Sequence, residues 1–219
     1  MKKKIAILGS TGSIGKTLID ILKKDKKNFG IVLLSANKNI QELEKQANLF
    51  KVKNLIVTDK KNYLKIKSLR KLKKKKIFND FSSIDKILKD KVDYVMSSIS
   101  GLEGLSPTIN IIKYTKKIAI ANKEAIICGW NIIQNELNKN KTEFIPIDSE
   151  HFSIDYALKK NGQKNIESIF LTASGGPLKD LPLNKFKSVK INDALKHPNW
   201  KMGKKISIDS ATMMNKVFE

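Results

Sequence analysis

Cysteine occurs once in the chain, at Cys128 within EAIICGW, which rules out an intramolecular disulfide, and its apolar neighbours mark a buried thiol. Arginine also occurs once, at Arg70, although lysine and arginine together number 43 against 21 acidic residues and leave a formal net charge of +22. Arginine is the side chain that forks onto phosphate and reads guanine, so its near absence from so basic a chain argues against a nucleic-acid partner. The densest basic run, KIKSLRKLKKKKIF from Lys65 to Phe78, keeps Ile66, Leu69 and Leu72 at helical spacing and reads as a solvated helix face. No apolar run approaches the ~20 residues that span a bilayer, so no membrane partner is expected. The start MKKK runs into IAILGS, which meets glycine too early for a signal-peptide core, and a cytoplasmic location follows as the expectation.

What is present describes a globular protein. With 219 residues, 41% of them hydrophobic, the chain can bury a core and form one large or two modest domains. Apolar, β-branched runs recur at KIAILG (4 to 9), FGIVLLSA (29 to 36), NLIVTD (54 to 59), DYVMSSIS (93 to 100), KIAIAN (117 to 122) and TEFIPID (142 to 148). Helical patterns lie between them, such as NIQELEKQANLF and IGKTLIDILKK, the latter with Ile14, Leu18, Ile21 and Leu22 on one face. Such alternation is the signature of a parallel sheet covered by helices on both faces, so residues 1–147 are expected to form a doubly wound, Rossmann-like domain. From Asp148 the rhythm changes. IESIFLTASGGP reads as a strand ending in a Gly-Gly-Pro turn, and KKISIDSATMMNKVFE as a strand followed by a helix, so residues 148–219 are expected to begin an α+β domain.

Polar clusters gather where strands end. GSTGSIG, Gly9 to Gly15, closes the first strand and opens the first helix; its glycines permit a tight turn and close approach of a pyrophosphate, which the helix N-terminus favours. The second strand ends in SANKN, where Ser35, Asn37, Lys38 and Asn39 offer donors and a positive charge in place of the carboxylate that would bond an NAD ribose, and this favours NADP. ANKEA sets Asn122, Lys123 and Glu124 at the carboxyl end of the fifth run, and PIDSEH sets Asp148, Ser149 and Glu150 after the sixth, either as a solvated loop or as hard-cation ligands lacking a third. Ser174 precedes two glycines, HPNWKMGKK carries His197, Trp200, Met202 and Gly203, and Asn215, Lys216 and Glu219 share one side of a helix with Ser210 near its start. Met213 and Met214 read as core residues.

In order and spacing, GSTGSIG, ANKEA, PIDSEH, SGGP, HPNWKMGKKISIDSATMMNK and the terminal Glu219 resemble the 1-deoxy-D-xylulose 5-phosphate reductoisomerase family. The resemblance covers the whole chain. It implies NADPH- and divalent-metal-dependent conversion of that sugar phosphate to 2-C-methyl-D-erythritol 4-phosphate, in isoprenoid precursor synthesis by the non-mevalonate route, by a cytoplasmic homodimer. It further implies that Asp148, Glu150 and Glu219 hold Mg2+ or Mn2+ and, with Lys123, carry the catalysis. Lys123, Ser149, Glu150, Ser174, His197, Ser210, Asn215, Lys216 and Glu219 then contact the substrate and its phosphate, with Trp200 on a flap over it. Thr11, Gly12, Ser13, Ile14, Asn37, Lys38, Asn39, Asn122, Glu124 and Gly203 lie on the NADPH side.

This sequence departs from the family's pattern in three places. Asn37 stands where the family often has glycine, and Val217 and Phe218 stand where a Gly-Leu pair is expected, which alters helix packing. The family's chains also continue past Glu219 into a C-terminal helical domain, so the chain is expected to be a truncated form with its third metal ligand on a fraying turn and doubtful activity. Two other classes fit less of the sequence. Another NADP-dependent oxidoreductase needs only the first domain's motifs, and an inactive NADP-binding fragment accounts for the early end.

Overall fold

The computed structural model describes residues 1–68, 74–161 and 166–219, and the side chain of Asn161 falls outside that description. Leu69, Arg70 and Leu72 of the basic run lie outside the described residues. The chain separates into two compact units, Met1–Ile147 and Asp148–Glu219.

In the first unit, strands and helices alternate as β1 (Lys3–Leu8), α1 (Ser13–Lys24), β2 (Phe29–Ala36), α2 (Ile40–Leu49), β3 (Asn54–Val57), α3 (Lys60–Ser68) and β4 (Lys76–Phe78). They continue as α4 (Ile84–Ile87), β5 (Tyr94–Ser97), α5 (Leu105–Ile112), β6 (Lys117–Ile120), α6 (Lys123–Asn140) and β7 (Glu143–Pro146). Seven parallel strands make one sheet in the order β4-β3-β2-β1-β5-β6-β7. Because side chains alternate across a strand, β1 sends Ile5 and Ile7 into one core with Ile19, Leu43 and Leu55, and Ala6 and Leu8 into another with Ile56, Ile111 and Ile133. Both faces of the sheet are therefore dry, which is why its strands read as continuous apolar runs. The direction of winding reverses between β1 and β5, and the loops after these two strands diverge to leave a crevice at their carboxyl ends.

Several local expectations change. The sheet has a seventh strand, β4, inside the run read as a helix face. Helix α1 buries Gly15, Ile19 and Leu22, while Ile21 is exposed, because the helix turns its glycine toward the sheet and a side chain six positions further on points away. Cys128 is exposed: α6 packs through Ala125, Gly129, Ile133 and Leu137, and Cys128 lies off that stripe.

The second unit contains α7 (Ser149–Asn161), α8 (Ile191–Ala194), α9 (Lys204–Ala211) and α10 (Met214–Val217), with a 3-10 turn at Leu183–Ser188. Among its described residues there is no strand. The expected strand in IESIFLTASGGP is an irregular, exposed segment, with Phe170 86% exposed, since a strand needs a partner for its amides and none lies alongside. The expected strand KKISI is instead the start of α9, whose inward residues are the small Ser207, Ser210 and Ala211, with Ile206 and Ile208 partly exposed. A left-handed Met213, φ 59°, ends that helix turn and separates α9 from α10, so Ser210 closes one helix and does not open the next. Met213 and Met214 are both exposed, at 40% and 39%, and are not core.

Candidate functional site

The crevice in the first unit is a cleft of about 570 Å3 bordered by Gly9, Thr11, Gly12, Asn37, Ser98 and Glu103, among others. Its floor is set by glycine. Gly9 has φ +77°, and a Cβ there would sit 2.8 Å from the Ser98 carbonyl oxygen; a Cβ on Gly15 would lie 2.4 Å from the Gly9 oxygen. The turn is braced from β2: the Gly9 amide donates to Ser35 Oγ at 2.9 Å and the Ser10 amide to the Ser35 carbonyl at 2.9 Å. Helix α1 then starts at Ser13 with Gly12 as N-cap and no side-chain cap, so its first amides face the cleft edge without a local acceptor. That is a seat for an anion such as a dinucleotide pyrophosphate.

Ser35 is therefore a buried brace of the turn and offers little to a ligand. Asn37 and Lys38 are exposed at the end of β2; Asn37 donates to Thr58 Oγ1 at 2.8 Å and does not have a positive φ, so it carries no strain in place of glycine. Asn39 caps α2, its side chain accepting the Glu42 amide at 3.1 Å. Asn122 caps α6 by accepting the Ala125 amide at 3.1 Å, and its Nδ2 donates to the Ile99 and Gly101 carbonyls at 2.7 and 2.5 Å. The residue is 4% exposed and both polar atoms of its side chain are engaged, so it offers little to a ligand. Lys123 and Glu124 open the same helix, half-buried. Ser98, Thr58 and Glu103, which border the cleft, were not expected from sequence; Thr58 and Ser98 could have been marked only by their places just after β3 and β5, and Glu103 lies in the 3-10 turn Leu102–Gly104.

In the second unit, Asp148, Glu150 and Glu219 come together, each offering a carboxylate oxygen within 4.8 Å of the others. The Asp148 carbonyl accepts the Phe152 amide at 2.8 Å, so the start of α7 fixes both Asp148 and Glu150. Lys216, two residues into α10, reaches across: its Nζ donates to Glu150 Oε1 and, at 2.5 Å, to Glu219 Oε2. Ser149 Oγ donates to the other Glu150 oxygen at 2.5 Å. Burial pushes the Glu150 carboxyl up, but the hydrogen bonds from Lys216 and then Ser149 outweigh it and hold it at about 2. Burial likewise opposes the Lys216 charge, and its bonds to Glu150 and Glu219 more than compensate, raising it above the ordinary lysine value.

Glu219 is better held than a fraying turn allows. Its side chain is 1% exposed, and its carbonyl lies 3.3 Å from His151 Nε2, while His151 Nδ1 is 3.8 Å from Asp148 Oδ1. His151 thus links two of the carboxylate positions, and the sequence reading missed it, although it stands one helical turn beyond Asp148. The set is all oxygen, with a protein cation already resting on two members, and so fits a hard divalent ion.

The other expected residues form a second group. Ser174 Oγ is 3.0 Å from His197 Nε2, and His197 Nδ1 accepts the Asn199 and Trp200 amides at 3.2 and 3.1 Å. With Nδ1 accepting, the ring proton sits on Nε2, which donates to Ser174 and leaves that hydroxyl's own proton for another acceptor. Gly176, φ +65°, packs so closely on the end of α9 that a Cβ would lie 2.5 Å from the Ser210 oxygen, which joins SGGP to Ser210. Asn215 keeps a buried side-chain oxygen without a hydrogen-bond partner. Trp200 is 63% exposed, and Gly203 is the N-cap of α9. Of the two departures beside Glu219, Val217 is exposed and meets solvent, while the Phe218 ring lies 5.1 Å from Lys205 Nζ and ties α10 to α9.

Comparison with known proteins gives a consistent picture. Residues 5–129 match the model of 1-deoxy-D-xylulose 5-phosphate reductoisomerase, and residues 144–219 match that of its C-terminal domain. The reductoisomerase of Pelagibacter ubique strain HTCC1062 is 60% identical over 219 residues, which is 99% of this chain and 56% of that protein. Among solved structures, the reductoisomerase of Zymomonas mobilis in complex with NADPH superimposes with a TM-score of 0.86 at 28% identity, over 100% of this chain and 56% of that one. A reductoisomerase in complex with NADPH, fosmidomycin and magnesium gives 0.86 at 31% identity, over 99% of this chain and 56% of its own. The chain thus spans just over half the length of the proteins it matches.

Proposed function

The chain belongs to the 1-deoxy-D-xylulose 5-phosphate reductoisomerase family, and from this we propose that it carries the NADPH-binding part, 1–147, and the metal- and substrate-binding part, 148–219, of such an enzyme. The reaction is the rearrangement of 1-deoxy-D-xylulose 5-phosphate and its reduction by NADPH to 2-C-methyl-D-erythritol 4-phosphate, in the cytoplasm, by a homodimer. The observation that carries the reading is the convergence of Asp148, Glu150 and Glu219, drawn from the two ends of the second unit, with Lys216 beside them.

Asp148, Glu150 and Glu219 would hold Mg2+ or Mn2+, which when bound polarises carbonyl and hydroxyl oxygens of the substrate. Ser174, held as a donor by the His197 tautomer, and Ser210 and Asn215 would bond phosphate and sugar oxygens. Trp200, exposed on the segment that follows His197, would cover the substrate and exclude water. In the first unit, the α1 amides, which have no side-chain cap, would take the pyrophosphate, and Lys38, exposed at the end of β2, the 2′-phosphate.

The test has two stages. The 219-residue chain is titrated with NADPH by fluorescence and with Mn2+ by electron paramagnetic resonance, and saturable binding of both is expected. It is then joined to the remaining C-terminal part of the Pelagibacter ubique relative and assayed for NADPH consumption with 1-deoxy-D-xylulose 5-phosphate and Mg2+. A folded fusion that binds both ligands and consumes no NADPH overturns the assignment.

A further inference from the structure

The ammonium of Lys216 sits where the proposed cation belongs. It holds Glu150 Oε1 and Glu219 Oε2, and the remaining Glu150 oxygen is taken by Ser149. A cation reaching Glu150 therefore competes with Lys216 and Ser149 for its oxygens, and a dication beside an ammonium on the same carboxylates faces direct charge repulsion. Lys216 is 13% exposed at its side chain, so its ammonium is held within the group of carboxylates. On α10, its neighbour Asn215 has a buried oxygen lacking a partner, an acceptor suited to an ammonium or a hydroxyl.

We propose that Lys216 is an exchangeable internal counter-cation. It holds Glu150 and Glu219 together until a divalent ion takes their oxygens, and its ammonium is thereby released to bind an anionic group of the substrate. Metal loading then arms anion binding, so the two are positively coupled and the metal binds first. The inference rests on the metal reading given above.

The test compares the 219-residue chain with its Lys216→Met variant, with folding checked by circular dichroism. Release of a competitor makes the variant bind Mn2+ about tenfold tighter by electron paramagnetic resonance. Inorganic phosphate should bind the parent chain several-fold more tightly with Mg2+ than without, and that gain should shrink in the variant. Equal or weaker Mn2+ binding by a folded variant overturns the exchange while leaving the metal site standing; absence of Mn2+ binding in both proteins removes the metal reading and the exchange with it. Should the variant not fold, acetylation of the parent chain followed by mass spectrometry decides. Lys216 should react slowly in chelator and several-fold faster once Mg2+ is added, and an unchanged or slower rate overturns the proposal.

Discussion

Replacing Asn122 by alanine should cost the first unit about 3 kcal/mol of stability and loosen the nucleotide cleft. Three losses contribute. The N-cap of α6 goes with the bond to the Ala125 amide, a change worth about 1 kcal/mol. The Ile99 carbonyl loses its bond from Nδ2 in a part-buried setting, which costs about 1 to 2 kcal/mol. The Gly101 carbonyl loses less, because it still accepts the Gly104 amide at 3.1 Å, so ~0.5 kcal/mol is assigned there. Glutamine cannot substitute, since Nδ2 already lies 2.5 Å from where a Gly104 Cβ would be. Aspartate separates the contributions: it keeps the cap acceptor yet turns a carboxylate oxygen toward two carbonyls, so Asn122→Asp should be at least as unstable as Asn122→Ala at neutral pH. Urea denaturation followed by circular dichroism reads both, and NADPH fluorescence reads the cleft, whose wall includes Ile99. An alanine variant within about 1 kcal/mol of the parent, or an aspartate variant restored to parental stability, refutes this account of the loop.

Gly15→Ala forces a methyl into the Gly9 carbonyl at 2.4 Å, and since the obstacle is backbone, a loss of about 3 kcal/mol or more with weakened NADPH binding is expected in the same two assays. Lys38→Glu should lower NADPH affinity about tenfold while leaving NADH affinity unchanged or improved, as read by isothermal titration; an equal effect on both nucleotides contradicts the 2′-phosphate contact. The Glu150 carboxyl is held at about 2, below its ordinary 4.5, so its stabilising contribution is complete above pH 4.5 and is lost as pH falls from there toward 2. Metal-free parent protein should thus lose more stability between pH 5 and 3 than Glu150→Gln, by chemical denaturation at each pH, and parallel losses would show that another group is responsible.

The first unit could be read from its sequence because its strands are buried on both faces. Ile5 to Leu8, Leu33 to Ala36 and Leu55 to Val57 have no solvent side, so a continuous apolar run and a strand coincide. Strand β4 escaped because it has one neighbour, β3, and starts in the lysine run: an edge strand needs only a few ordering contacts and carries charge freely. The Gly-rich turn was legible as a tight turn because backbone geometry demands glycine there. What Asn39 and Asn122 do was not, because a cap and a ligand contact call for the same residue type at the same strand end.

The second unit misled for a physical reason that also bears on its chemistry. ISID alternates apolar and polar residues and so mimics a strand, but the face that packs is Ser207, Ser210 and Ala211, and Gly176 brings its backbone against that of Ser210. A buried face made of small polar residues leaves no hydrophobic period to detect. The same packing sets the reach of Lys216. Ser210 is fixed at the end of α9, the left-handed Met213 redirects the chain, and α10 is thereby aimed so that Lys216 and Glu219 meet Glu150. Residue type in the sequence identified three carboxylates and a lysine as functional candidates. Their sum, three negative charges against one positive, leaves about two charges unmatched, and only the fold shows that the one positive charge already sits on two of the three carboxylates. The order of events proposed for metal and anion therefore follows from α9 and α10 meeting at Met213, a feature that no motif spacing encodes.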